Sequence, residues 1–340
     1  METKTEHNIR LTSAEIGNLW STYMTDSMSA CVLKYFIAKT QDKEIQTVLE
    51  FALGISQTHI QVITEIFNQE GHPIPVGFGE QDVDINAPAL YSDTYFLNYV
   101  HNMSKLAMTT YGLAVSSVAR KDIVDIFSKA YISARDLYEK SLQCLLSKGL
   151  YSRAAYIPIP EKVEFIQKQS YLTGWLGNRR PLNALEITQI YYNIQRNGIG
   201  KALLLGFSQV ARSKKVREYC LRGIDIAFSN IQELSHKLSE ENINVSPTWD
   251  SDVLNSTIPP FSDKLIMFHI TAISGLSIGI YGSALGTVSR RDLGSLFMKI
   301  LTAAIAYAED GANLMIENEW LEEAPHALHN ISMAKRSEYS

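Results

Sequence analysis

A chain of 340 residues, 46% hydrophobic and 20% charged, is long enough for two or three buried cores. Its net charge of −5 and pI near 5.9 leave no basic footprint, so nucleic acid is not an expected partner. Cys31, Cys144 and Cys220 lie far apart without CxxC spacing, which reads as reduced, buried thiols rather than a disulfide framework or zinc site.

The opening METKTEHNIR alternates charges and lacks an apolar run, so a cytoplasmic protein is expected. Thr12-Ser-Ala-Glu15 is a capping box, and Ile16, Leu19, Trp20, Tyr23, Ser27, Ala30 and Ile37 continue as one helical stripe. After a polar break at 40–43, a second helix carries Ile45, Leu49, Ala52, Leu53, Ser56, Ile60, Ile63 and Phe67 on one face and stops at Gly71. Prolines at 73, 75 and 88 and glycines at 77 and 79 then exclude helix for about twenty residues. Such a stretch can run the length of a bundle and re-enter at its far end, making the third helix parallel to the second.

The third helix is placed at 93–119 and the fourth at 121–148, closed by Gly149. A short helical segment is expected at 161–170, followed by a Gly/Pro/Arg-bearing linker. Helices at 184–212, 214–241, 263–289 and 291–318 repeat the order, with a second Pro-rich crossover between the middle two.

That repetition is also written in the residues. YGLAVSSVARKD at 111–122 and YGSALGTVSRRD at 281–292 share Tyr-Gly, Ala, Val, Arg and Asp at an offset of 170. Glu15/Glu186, Phe36/Phe207 and Glu70/Glu241 match at 171, and Ser92/Ser262, Phe127/Phe297 and Glu139/Glu309 at 170, so the one-residue change falls inside the crossover. The expectation is an all-α protein of two tandem ferritin-like four-helix bundles, each with a long crossover between its second and third helices. Their bounds are read as 1–172, including the short C-terminal helix, and 173–340.

Segment 265–289 contains no Asp, Glu, Lys or Arg and places Gly275/Gly279 and Gly282/Gly286 at GxxxG spacing. Its counterpart at 95–119 carries His101 and Lys105, so a helix buried on all sides is expected rather than a transmembrane segment. Its glycine face would pack on the other bundle or on a second subunit, making a protein partner or homo-oligomer the expected association.

No residue is assigned a catalytic or cofactor-binding role, because no phosphate loop, GxSxG or Cys/His/Asp set appears. A di-iron bundle needs two inward Glu-x-x-His pairs. The chain offers Glu233-Leu-Ser-His236, expected to face solvent. His59 and His101 are further metal candidates, with Asp26 read as a partner for His59. Iron or manganese is therefore the alternative to having no cofactor. Lys201 projects towards the predicted core of its helix, with the surface as the plainer reading. Arg120/Asp122 and Arg290/Asp292 read as helix-closing and N-cap residues, and Glu139/Glu309 as outer-face residues.

With LTSAEIGNLWSTYMTDSM, KGLYSRAAYIPIPEKVEFIQKQSYLTGWLG, NRRPLNALEI, KALLLGFSQVA, PPFSDKLIMFH, RRDL and YAEDGANLMI in view, nearly the whole chain resembles the "domain of unknown function 3231" family of spore-forming bacilli. The resemblance implies a tandem ferritin-like fold, kinship with coat-F-like spore coat proteins and spore association, and it implies no catalytic residues. Two functions stay open: a non-catalytic structural or interaction protein linked to sporulation or the spore coat, and a ferritin-like metal-binding or oxidant-handling protein with a non-standard site.

Overall fold

The computed structural model describes residues 9–175, 179–245 and 248–327. Eight α-helices are present among them: α1 (Ser13–Lys39), α2 (Lys43–Glu70), α3 (Asp93–Ser117), α4 (Lys121–Ser147), α5 (Ala184–Val210), α6 (Lys214–Ser239), α7 (Asp263–Thr287) and α8 (Arg291–Glu317). The all-α, two-bundle reading holds, with helix ends within about two residues of the sequence reading, the ordinary uncertainty of a frayed terminus. The expected helix at 161–170 is absent. Residues 161–168 are non-helical and largely exposed, followed by a single 3-10 turn at Gln169–Leu172. A segment of that length cannot sustain a helix without a partner to bury its apolar face.

The capping boxes form as read: Thr12 and Asn183 accept from the amides of Glu15 and Glu186, whose side chains return to the cap amides. Gly71 closes α2 in the left-handed conformation at φ 67°. Hydrogen bonds then trace the crossover. The Phe78 amide donates to Ser27, the Tyr35 hydroxyl donates to the Pro88 carbonyl and accepts from the Leu90 amide, and Asp93 accepts from the Gln41 and Asp42 amides. The chain therefore climbs along α1 and enters α3 beside the start of α2, so α3 is parallel to α2. At the other end, Glu15 accepts from the Ala119 and Arg120 amides, pinning the α3–α4 break to the start of α1.

The bundles are joined by an internal pseudo-two-fold axis. Val83 bridges Phe261 while Tyr91 bridges Val253, and these pairs exchange under the offset of 170. Ser92 donates to Asp252 at 2.6 Å and Ser262 to Asp82 at 2.7 Å, again each other's images. On the axis, the equivalent residues Tyr99 and His269 meet at 2.7 Å. Around it lies the largest apolar cluster, which includes Tyr35, Phe36, Tyr91, Phe207, Phe261 and Ile266 and so draws on both halves. Separate clusters occupy the outer end of each bundle.

Helix α7 departs from its expected burial. Leu265, Ile266, Met267, His269 and Ile270 are enclosed in the shared core, but beyond them Gly275, Gly279, Gly282 and Gly286 are exposed. A Cβ built on any of these glycines meets nothing within 4 Å. The glycine face does not pack against the other bundle, because α7 leaves the shared core after its first turns and only its inner edge, through Tyr281 and Ala284, stays buried. Its length and composition also satisfy what a membrane-crossing helix requires.

Candidate functional site

Inside the first bundle, four side chains from three helices converge. Asp26 of α1 accepts from Ser56 Oγ at 2.9 Å through one carboxylate oxygen and contacts His59 Nδ1 at 2.9 Å through the other. The Tyr111 hydroxyl of α3 lies 3.4 Å from the same nitrogen, its ring edge-on to the imidazole. Burial, followed by the adjacent Asp26 charge and hydrogen bond, pushes the Tyr111 phenol well above its ordinary pKa. It stays protonated and can donate to the carboxylate. All four residues are buried, and a buried carboxylate is tolerable when its lone pairs are occupied in this way.

Asp26, Ser56 and Tyr111 form part of the wall of a cavity of about 520 Å³. The rest is mostly apolar, with Met24, Val32, Val100 and Leu137 among its lining. Ser21, Gly275, Leu276 and Leu321 also line it and are exposed, which places the mouth between α1, α7 and the segment after α8. Thr188, Tyr191, Tyr192 and Gln195 of α5, with Lys105 of α3 and Tyr151, are among the lining of a second, more open groove of about 590 Å³. Lys105 stands there 6.0 Å from the Tyr192 ring, and burial lowers its pKa to about 8.

The second bundle holds an uncharged image of the polar cluster. Asn197, Asn230 and Tyr281 stand at the repeat positions of Asp26, His59 and Tyr111, and Ala227 at that of Ser56. Asn197 accepts from Asn230 at 3.1 Å, and its amide lies 2.9 Å from the Tyr281 hydroxyl. Beside them Arg196, at the position of Thr25, is buried with one bond, to Ser277 Oγ at 2.9 Å. Its Nε and Nη1 have no partner among the described residues, and burial lowers its pKa.

The other sequence candidates do not assemble. His101 is buried, bonded through Nδ1 to Ser141 at 2.9 Å and stacked on Tyr138, and burial, then Lys105, lowers its pKa to about 3. Glu233 pairs with Lys299 at 2.7 Å, and His236 is exposed beside Glu240, so this pair faces outward as expected. No group of three or more His, Cys, Asp or Glu side chains able to hold a metal occurs among the described residues. Lys201 reaches Asp250 in the second crossover at 2.7 Å. All three cysteines are free and buried, and Glu139 and Glu309 are exposed.

The Asp of each repeated Arg-Asp pair is not an N-cap. Arg120 and Arg290 occupy the cap position without capping through their side chains. Each instead grips its own Asp, 122 or 292, with two nitrogens and adds Glu70 or Glu241 with a third. The fork matches carboxylate geometry, and the guanidinium's remaining bonds go to the Ile9 or Arg180 carbonyl rather than to α3 or α7, so the Arg ties the helix break to Glu70 or Glu241 instead of closing the preceding helix as expected. Sequence reasoning anticipated the Asp26–His59 contact but missed Ser56 and Tyr111. The signals were there: Ser56 and His59 stand three apart on one helix face, and Tyr111 recurs as Tyr281.

The family model described as "Protein of unknown function (DUF3231)" matches residues 1–163 and again residues 170–332. Among solved structures, the chain is similar to a protein of Bacillus halodurans C-125 described as a "putative spore coat protein", with 17% identity, 46% of this chain and 98% of that chain covered, and a TM-score of 0.38. No curated protein matches the chain.

Proposed function

The chain belongs to the DUF3231 family, whose model covers both halves, and on that premise we propose that it is a non-catalytic structural and interaction protein linked to sporulation or the spore coat. The observation that carries the reading is the outer face of α7. Over Gly275 to Gly286 the exposed residues are Gly275, Leu276, Gly279, Gly282, Ser283 and Gly286, with no charge along the face and nothing near a Cβ built on its glycines. An exposed helix face without charge or bulk lets another backbone approach closely, and a protein surface leaves few such faces uncharged without a use. The occupant is a second copy of this chain or a protein partner. The link to sporulation, and a cytoplasmic origin with later spore association, rest on the family resemblance.

The interior of the first bundle supports the same reading. Asp26, the one carboxylate among the described residues of the cavity wall, is held by Ser56 and His59 from within the protein. A specific contact also favours a second reading, an iron or manganese site of non-standard kind: Asp26 and His59 face one another across two helices. Such a site would need further ligands from outside this cluster.

Gly279→Leu tests the first reading. Because a side chain there meets nothing in the monomer, the melting temperature of dilute protein should stay within a few degrees of wild type, while the mass by light scattering at high concentration falls. Unchanged mass would remove α7 as a self-associating surface.

A further inference from the structure

The two bundles share one fold and differ in what fills them. In the second, the rings of Tyr219 and Tyr307 stack with centroids 4.3 Å apart and planes 2° from parallel. Each hydroxyl bonds to the other residue's carbonyl, at 2.8 and 3.1 Å. The rings fit because Gly223 and Gly311 lie against them: a Cβ on Gly223 would collide with Tyr307, and one on Gly311 with Tyr219. At the repeat positions the first bundle has Val48, Leu137, Ala52 and Ser141. Leu137 and Ala52 line the cavity of about 520 Å³. The sibling bundle therefore fills the space corresponding to the Ala52–Leu137 side of this cavity with two aromatic rings seated on two glycines, so a hollow there is not a requirement of the fold.

The walls define what belongs there. Asp26 is the cavity's charged residue, and its oxygens are taken by Ser56 and His59. The lining hydroxyls of Ser104, Thr110 and Thr271 give their protons to carbonyls of their own helices. The Tyr99 hydroxyl meets His269 Nε2 at 2.7 Å, and His269 Nδ1 has no partner among the described residues; the wall is otherwise mostly apolar, and an apolar cavity stays dry or takes an apolar guest. The mouth, at exposed Gly275, Leu276 and Leu321, is apolar as well, with Ser21 at its edge. Met24, Met28 and Met103 supply flexible walls that adapt to a chain rather than to a rigid ring.

We propose that the first bundle is a binding site for a hydrocarbon chain, an acyl or isoprenoid tail lying in the cavity with its uncharged head at the α1–α7 mouth. A carboxylate head is disfavoured inside, where Asp26 already places a negative charge and no cation lies unused. The second bundle, filled by Tyr219 and Tyr307, is the structural half of the pair. The mouth shares Gly275 with the face proposed for association, but the cavity-filling variants lie inside the first bundle and Gly279→Leu lies one turn beyond the mouth, so the two readings can fail separately.

The test is displacement of the uncharged fluorescent polyene cis-parinaryl alcohol by 1-hexadecanol from the full chain, with native mass spectrometry counting bound alcohol. The expected result is saturable binding of one alcohol per chain. Val48→Tyr/Ala52→Gly/Leu137→Tyr/Ser141→Gly transplants the filling of the second bundle and should weaken displacement at least tenfold. Ala107→Phe, a single change on the cavity wall, should do the same if the fourfold variant fails to fold. Extraction of chain-labelled phosphatidylcholine from vesicles would identify a membrane lipid as the source, and binding of the free alcohol without extraction a free chain. Both uphold the proposal. No saturable binding by wild type, or undiminished binding in a folded cavity-filled variant, overturns it.

Discussion

Glu15 shows how much one side chain holds at the end of a bundle. Its carboxylate accepts from the Thr12 amide at 2.7 Å, the Thr12 hydroxyl at 2.8 Å, and the Ala119 and Arg120 amides at 3.2 and 2.8 Å. Burial alone would push its pKa up, but these donors outweigh it and hold the group at about 2 against an ordinary 4.5. The folded value is the lower one, so the contribution is present above pH 4.5 and is lost as pH falls from there towards 2. Glu186 repeats the arrangement, with Arg180 and the Asn183 and Arg290 amides holding its pKa down against burial. Glu15→Gln should cost about 1–3 kcal/mol by urea unfolding at pH 7, and the deficit should shrink below pH 4. An equal deficit at both pH values would contradict the charge-based account. A second residue prediction concerns left-handed backbone. Gly149 closes α4 at φ 67°, and its repeat partner Glu319 adopts φ 57°. Glu319→Gly relieves a conformation that disfavours a Cβ, and should raise stability by about 1 kcal/mol in the same assay.

At the scale of elements, the polar clusters of α1, α2 and α3 and of α5, α6 and α7 are two solutions to one packing problem. Asp26 with His59 is a charge-assisted solution, and Asn197 with Asn230 a neutral one. Changing either member of the Asp26–His59 pair alone leaves a buried polar partner uncompensated, at about 1–3 kcal/mol. Asp26→Asn/His59→Asn restores the composition of the sibling bundle and should cost less than the two single changes added. A double-mutant cycle by urea unfolding reads this directly, and strict additivity would mean that the residues do not form a unit. These elements differ in how readily the sequence shows them. Capping boxes, glycine stops and the crossover are local signals, and each of the eight helices is where local chemistry puts it. The 161–170 segment has a local helical pattern but no apolar partner, and no local signal reports a missing partner. The same reason hides the open face of α7: composition records that residues 265–289 carry no charge, not what shields them. Asp26 and His59, far apart in sequence, were visible as a pair because both fall on the shoulders of strongly periodic stripes. Tyr111 was hidden inside a motif that the repeat made conspicuous for its Arg and Asp.

The whole molecule behaves as a dimer written in one chain. Its largest core lies between the halves, and the crossovers pair reciprocally about the axis through Tyr99 and His269. Residues 1–172 or 173–340 alone would expose Tyr91 or Phe261 and their neighbours to water. Each fragment should therefore be unfolded or aggregated by circular dichroism and size exclusion, and mixing the two during refolding should restore a helical complex. Two independently folded monomers would contradict the shared core. Duplication also allowed the halves to diverge: the second bundle is filled by the stacked Tyr219 and Tyr307, while the first is hollow and carries a buried Asp–His pair. The central claim is that this pair is structural, serving a binding protein rather than a metal centre. Metal analysis of the full chain, purified without chelator and loaded with iron(II) and then manganese(II) with and without air, addresses it most directly. The account predicts far less than one ion per chain, with no difference between wild type and His59→Ala. Stoichiometric iron or manganese that disappears in His59→Ala would contradict it.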